Sequence, residues 1–169
     1  MADHKTDAAA LPSGVDPENA LVIDTTPGRI VVKLRNDVAP GHAERLKLLA
    51  REQFYDDVPF HRVIEGFMAQ TGDGEFGNGT GGSQYPDLKS EFSDVPYVRG
   101  TVGMARTGNP HSANSQFFIM FDEGSFLNGQ YTVVGEVVSG MDVVDKLKRG
   151  EPPRNPDKIL KMQVAADVK

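Results

Sequence analysis

From Ala20 onward the apolar positions fall into short alternating runs. Leu21, Ile23 and Thr25 sit against Val22 and Asp24, and Ile30, Val32 and Leu34 alternate with Arg29, Lys33 and Arg35. A period of two belongs to a half-buried strand, and Pro27-Gly28 between the runs supplies a turn, so the pattern predicts a β-hairpin. The period then changes: Pro40 suits a first helical position, and Ala43, Leu46, Leu49 and Ala50 follow at helical spacing with charges between them. One amphipathic helix is expected there. Residues 58–71 read as a second hairpin, broken at Glu65-Gly66, with Phe60, Arg62 and Ile64 on one face of its first arm and Met68 and Gln70 on one face of its second.

Residues 72–100 are loop-like, with Gly72, Gly74, Gly77, Gly79, Gly81 and Gly82 crowded together. So long a connection is expected to carry function. Strands return at 101–105, 116–120 and 132–138, and a last one at 159–164. Between them Ser139 is expected to cap a short helix with Asp142 at its third position, Met141, Val144 and Leu147 on its apolar face, and Gly150 at its end. Residues 1–19 are polar, contain Pro12, Gly14 and Pro17, and show neither period; they are expected to be a flexible leader to a single domain over 20–169. Six to eight strands, two short helices and no βαβ alternation predict an antiparallel barrel or sandwich with helices over its openings.

Composition narrows the chemistry. The chain's 18 basic against 24 acidic residues leave a net charge of -6, which repels nucleic-acid phosphates and anionic lipid alike. With no cysteine, disulfides, thiolate nucleophiles and cysteine-based metal sites are excluded, and the composition fits a reducing cytoplasm. Apolar runs such as 117–121 fall far short of the roughly 20 residues that span a bilayer. The opening residues have mixed charge and no signal-peptide core, so a cytoplasmic location is expected.

Most candidate sites read as structure. Gly72-Asp73-Gly74-Glu75-Phe76-Gly77 matches a dinucleotide fingerprint, but its acidic interior would repel phosphate and the glycines after it start a helix poorly. His4, His42, His61 and His111 have no paired metal-ligand spacing, and Ser83, Ser112 and Ser115 lie in no nucleophile elbow. Asp56 and Asp57 are adjacent and would point to opposite faces. The basic run Arg29, Lys33, Arg35, Arg45, Lys47 and Arg51, interrupted by acids, is expected to be a solvated face. Phe60-His61-Arg62-Val63-Ile64 is different, because an arginine inside an apolar strand needs explaining. Gln70 beside Met68, and Gln116 in phase with Phe118, interleave two amides with apolar groups in the same way. Such a surface suits a neutral amide bearing an apolar ring, as in a proline-containing peptide.

These residues also carry a family resemblance. Residues 60–70, Phe-His-Arg-Val-Ile-Glu-Gly-Phe-Met-Ala-Gln, resemble the signature of the cyclophilin peptidyl-prolyl isomerases. Asn78-Gly79-Thr80-Gly81-Gly82, Gly103-Met104-Ala105-Arg106, Ser115-Gln116-Phe117-Phe118-Ile119 and Phe126-Leu127-Asn128-Gly129 follow as the family's later blocks, in order, over about residues 20–164. The resemblance implies an eight-stranded antiparallel closed β-barrel capped by two α-helices, with a peptide groove on its outer surface. It implies peptidyl-prolyl cis-trans isomerase (rotamase) activity that assists protein folding, with no metal or cofactor, in a monomer acting on proline-containing peptides and on unfolded or folding proteins. Carried over by motif, Arg62 is the catalytic arginine, Phe67, Met68, Phe118 and Leu127 form the proline pocket, and Gln70 supports the arginine. Ala105, Arg106, Thr107 and Gln116 line the groove. Phe126 stands where well-known members have tryptophan and Tyr131 where they have histidine, as in certain bacterial cyclophilins. That tryptophan donates its indole proton to cyclosporin, and phenylalanine has no such donor, so weak cyclosporin binding is expected. Two rivals remain at this point: a module that grips proline segments without catalysis, and a nucleotide binder built on the glycine-rich loop.

Overall fold

The structure, a computed structural model, describes residues 11–169. Over these residues it is mainly β, with two α-helices. The predicted first hairpin forms β1 (Ala20–Thr25) and β2 (Gly28–Leu34), in register from Ala20 opposite Lys33 to Thr25 opposite Gly28. Pro40 opens helix α1 (Pro40–Arg51), whose Ala43, Leu46, Leu49 and Ala50 are buried in the main core as its period required. The helix lacks a side-chain cap of its own. The Glu91 carboxylate, fifty residues on, instead accepts the N–H groups of Gly41 and His42 and faces His42 Nδ1. Burial pushes the Glu91 carboxyl up, but these donors outweigh it and hold its pKa below the ordinary value.

Next come β3 (Val58–Pro59), β4 (Arg62–Ile64), β5 (Met68–Thr71), β6 (Thr101–Met104), β7 (Phe117–Met120), β8 (Val133–Ser139), α2 (Met141–Val144) and β9 (Lys158–Val164). The nine strands make one antiparallel sheet in the order β3-β9-β1-β2-β8-β6-β7-β5-β4. This corrects the expected eight strands and the expected closure: no ladder joins β3 to β4, the two edges. Yet only Phe60 and His61 separate those edges in the chain, so they lie within a span of at most about 11 Å and the sheet must curl back on itself.

The break at Phe60-His61 also resets the strand's phase. Phe60 was expected to share a face with Arg62 and Ile64. It is instead buried with Val63 in the main core, while Arg62 is exposed and Ile64 packs in a second cluster. Two further expectations change. Ser139 ends β8, and the N-cap of α2 is Gly140 at φ 88°, a left-handed conformation that glycine adopts without strain. The helix stops at Val144 rather than near Gly150, although Val144 and Leu147 are buried as expected. Nor is the basic run wholly solvated. Arg45 and Lys47 are buried, Arg45 donating to the carbonyls of Pro86 and Asn114 and Lys47 pairing with Glu18. In the described part of the expected leader, Leu11 and Val15 pack against Ala20, Val22 and Ala165. Among the described residues no helix is long and apolar enough to cross a membrane.

At β7 the sheet is buried on both faces. Phe117 and Ile119 of β7 point into the main core, and Phe118 and Met120 point into a cluster with Met68, Tyr97, Leu127 and Val133. That explains the unbroken apolar run of β7: a strand buried on both sides has no polar face to present. The second cluster is the floor of the candidate site.

Candidate active site

The hairpin of β4 and β5 sets Arg62 directly opposite Gln70, and β7 sets Phe118 opposite Gln70 on the other side. Three side chains spread over 56 positions of sequence thus meet on one face. Arg62 Nη1 donates to Gln70 Oε1 at 3.4 Å, Gln70 Nε2 donates to Gln116 Oε1 at 3.0 Å, and Gln116 Nε2 donates to the carbonyls of Gly79 and Gly81 at 3.0 and 2.9 Å. Each amide is oriented by its neighbour, so the relay fixes which oxygen faces the arginine.

Beside the relay lies a cavity of about 150 Å³ lined by Arg62, Phe67, Met68, Gln70, Ala105, Arg106, Phe118, Leu127 and Tyr131. Nine sequence-predicted residues therefore meet around one notch with an apolar floor and a guanidinium at its rim. Phe118 is held by Tyr97, stacked 5.8 Å away, and by the edge of Tyr131 at 5.9 Å. The Tyr97 hydroxyl, which burial pushes far above its ordinary pKa, donates to the Tyr131 carbonyl at 2.9 Å. Phe126 does not line the notch; its exposed ring lies 5.6 Å from that of Phe67 and extends the apolar surface outward. Thr107 and Gln116 line a larger neighbouring cavity of about 470 Å³, with Gly79 to Ser83, Asp87, Asn109, Ser112 and Asn114. Gln70, Ala105 and Arg106 line both.

Packing beneath the floor leaves no slack at Gly103. A Cβ there would lie 2.5 Å from Tyr97 Oη and 2.6 Å from Phe118 Cζ. Gly103→Ala is accordingly expected to cost about 1–3 kcal/mol in urea unfolding and to raise KM by moving the Phe118 wall; a variant as stable as the parent would contradict this packing.

Sequence reasoning missed two contributors. Glu151 Oε1 accepts from Arg62 Nε at 3.1 Å, and 89 positions separate the two without a shared motif. Asp73, read above only as a charge that repels phosphate, is buried, and its carboxylate accepts the N–H groups of Glu75, Phe76, Asn78, Gly79 and Gly81. Burial pushes this carboxyl up, but those donors prevail and hold its pKa below the ordinary value. The loop that mimics a dinucleotide fingerprint thus turns its N–H groups inward onto an anion of its own. No free nest remains there for a pyrophosphate, which removes the nucleotide reading. A signal was available in principle, since Asp before a glycine-rich turn often takes local N–H groups.

Comparison with known proteins agrees with this geometry. Residues 20–164 match the model of the cyclophilin type peptidyl-prolyl cis-trans isomerase/CLD family. A probable peptidyl-prolyl cis-trans isomerase of Brucella suis biovar 1 (strain 1330) is 58% identical over 172 residues, covering 93% of this chain and 88% of that one. Peptidyl-prolyl cis-trans isomerase B of Escherichia coli (strain K12) is 43% identical over 132 residues, 73% of this chain and 80% of that one. Among solved structures, cyclophilin AquaCyp293 from Hirschia baltica superposes with a TM-score of 0.86 at 28% identity, covering 98% of this chain and 80% of that one. A Cryptosporidium parvum cyclophilin type isomerase, crystallised in the presence of the dipeptide Ala-Pro, shares the fold with a TM-score of 0.80 at 24% identity, over 86% of this chain and 98% of that one. On the family match and these relatives, the chain belongs to the cyclophilin type peptidyl-prolyl cis-trans isomerases.

Proposed function

We propose that the chain rotates X-Pro bonds by seating the proline ring in the notch between Phe67, Met68, Phe118 and Leu127 while Arg62 stabilises the twisted imide. The observation that carries this reading is the guanidinium of Arg62 at the rim of that apolar cavity. The peptide C–N bond resists rotation by roughly 18–20 kcal/mol because the nitrogen lone pair is delocalised into the carbonyl. In the twisted state the nitrogen turns pyramidal and more basic, so a donor aimed at it binds that state better than either planar one. Arginine keeps its charge at physiological pH and donates from a rigid fork, so no proton has to be transferred.

Shortening an uncatalysed 10–100 s to milliseconds requires about 10⁴–10⁵-fold, or roughly 5.5–7 kcal/mol. One electrostatic donor supplies about 2.7–4 kcal/mol of that. The remainder is assigned to the apolar notch, which strips water from the imide and holds the ring while the preceding carbonyl swings. Gln70 and Gln116 act as positioning residues that orient the arginine.

The same reading takes residues 20–169 as one isomerase domain serving folding chains in the cytoplasm. NMR exchange spectroscopy on a peptide containing Ala-Pro, the dipeptide supplied to the Cryptosporidium parvum protein, tests it. Catalytic amounts of protein are expected to broaden and exchange the cis and trans proline signals. Binding without accelerated exchange would leave only a proline-gripping module. Cyclosporin supplies a second measurement. Phe126 offers no N–H, so inhibition is expected to be weak, and Phe126→Trp is expected to tighten it by about threefold to tenfold, the worth of one hydrogen bond. Nanomolar inhibition of the parent protein would refute the assignment of Phe126.

A further inference from the structure

Arg106 lines both the proline notch and the larger cavity beside it, so it stands at their junction. Its guanidinium is held by neutral groups alone. Nε and Nη2 donate to the Gln130 carbonyl at 3.0 and 2.9 Å, Nη1 donates to the Thr107 carbonyl at 2.9 Å, and the whole fork lies 4.5 Å from the centre of the Tyr131 ring. A guanidinium has five N–H groups, and these contacts use three. Arg62, the other cation of the notch, is paired with Glu151. Among the described residues no carboxylate stands within ion-pair distance of Arg106. A fixed positive charge with donors to spare therefore stands at the junction of the two cavities.

We propose that Arg106 is a specificity-determining residue that favours a carboxylate side chain, glutamate or aspartate, immediately before the substrate proline; this rests on the isomerase reading above. The proline ring is held during rotation, and the segment that swings is the one carrying the preceding carbonyl. That segment needs room and polar partners, which the larger cavity offers through Thr107, Asn109, Ser112 and Asn114, whereas the opposite rim is the apolar Phe126. The residue before proline thus passes Arg106 first. Asp87 lines only the larger cavity, where Asn114 Nδ2 already donates to it at 3.1 Å, so its repulsion falls on residues further from the proline. The ring and two carbonyls fix the fork in advance, so little side-chain freedom is lost when a carboxylate arrives. The net charge of -6 works in the opposite sense, since it would draw basic peptides.

Peptides identical except for Glu, Gln or Lys before the proline decide the matter, with exchange rates and binding both read by NMR on the intact protein. At low ionic strength Glu is expected to exceed Gln about threefold in kcat/KM and Lys to fall about threefold below Gln. In Arg106→Gln the order should collapse, and in 0.5 M salt it should shrink, because a half-exposed pair is screened. Equal rates for the three peptides, a preference for Lys, or an order that survives Arg106→Gln would overturn the proposal. Should the peptides bind in the expected order without any accelerated exchange, the proposal would stand as a binding preference and the isomerase reading would fall.

Discussion

Replacing Arg62 with alanine is expected to lower kcat/KM for an Ala-Pro peptide about 10²–10³-fold while leaving the protein folded. The two halves of that expectation have separate grounds. Arg62 side-chain exposure is 45% and that of its partner Glu151 is 57%, so their ion pair is a surface pair, worth about 0–1 kcal/mol to stability. Nothing in either hydrophobic cluster rests on Arg62. Its rim position over the notch, by contrast, is where the proposed mechanism has charge develop as the imide twists. The loss should fall on kcat more than on KM, because the planar ground state makes little demand on a donor to nitrogen. Arg62→Lys separates charge from geometry: a point charge without the fork keeps the field but loses the second donor to Gln70, so an intermediate rate is expected. A protease-coupled assay with a thermal melt of each variant reads both quantities. Turnover that is unchanged in a folded Arg62→Ala protein would remove the arginine from the mechanism and leave desolvation alone.

How much of this could be read from the chain depends on the range of each interaction. Period-two alternation is local, so β1, β2, β5 and the facing of Gln70 with Met68 were visible, whereas the support of Arg62 by Gln70 came only from the family motif. Where phase had to be carried across a break it failed: Phe60 lies before β4 and follows the core rather than Arg62. The notch itself joins residues 62–70, 105–106, 118 and 127–131, which no periodicity links; only the ordered family blocks placed them together. Glu151 beside Arg62 and Glu91 over the start of α1 are contacts across distant sequence whose partners are a guanidinium and backbone N–H groups. Backbone donors and acceptors leave no trace in side-chain identity, and that is also why Arg45, donating to the carbonyls of Pro86 and Asn114, looked like a solvated charge. The order of the strands was beyond reach for the same reason, since it is a matter of ladders rather than of composition.

Asp73→Ala is expected to destabilise the protein by about 3 kcal/mol and to weaken catalysis at the same time. The carboxylate satisfies five N–H groups of residues 75–81 with donor distances of 2.9–3.1 Å. Each buried donor left without an acceptor costs about 1–3 kcal/mol, but the loop lies at the surface and can open to water, so the total stays well below five times that figure. The backbone is already committed: a Cβ at Gly81 would collide with Asp73 Oδ1, and one at Gly79 would lie 2.9 Å from His61 Nε2. Gly79 and Gly81 also supply the two carbonyls that orient Gln116, Gln116 orients Gln70, and Gln70 faces Arg62. Loss of the anion should therefore travel through that relay and appear as a fall in kcat for Asp73→Asn even where the loop stays closed, because an amide presents N–H groups to N–H groups. The pH dependence has a definite sign. The folded pKa of Asp73 lies below its ordinary value of about 3.9, so the unfolded chain takes up the proton first as pH falls. The stability due to this carboxylate is fully present above about pH 4–5 and drains away as pH drops through the folded pKa. Urea titrations of the parent and Asp73→Asn proteins from pH 7 down to pH 3 are expected to give a stability gap that is flat above pH 5 and narrows below pH 4. A gap that widened toward acid would mean that the loop is held by something other than this carboxylate.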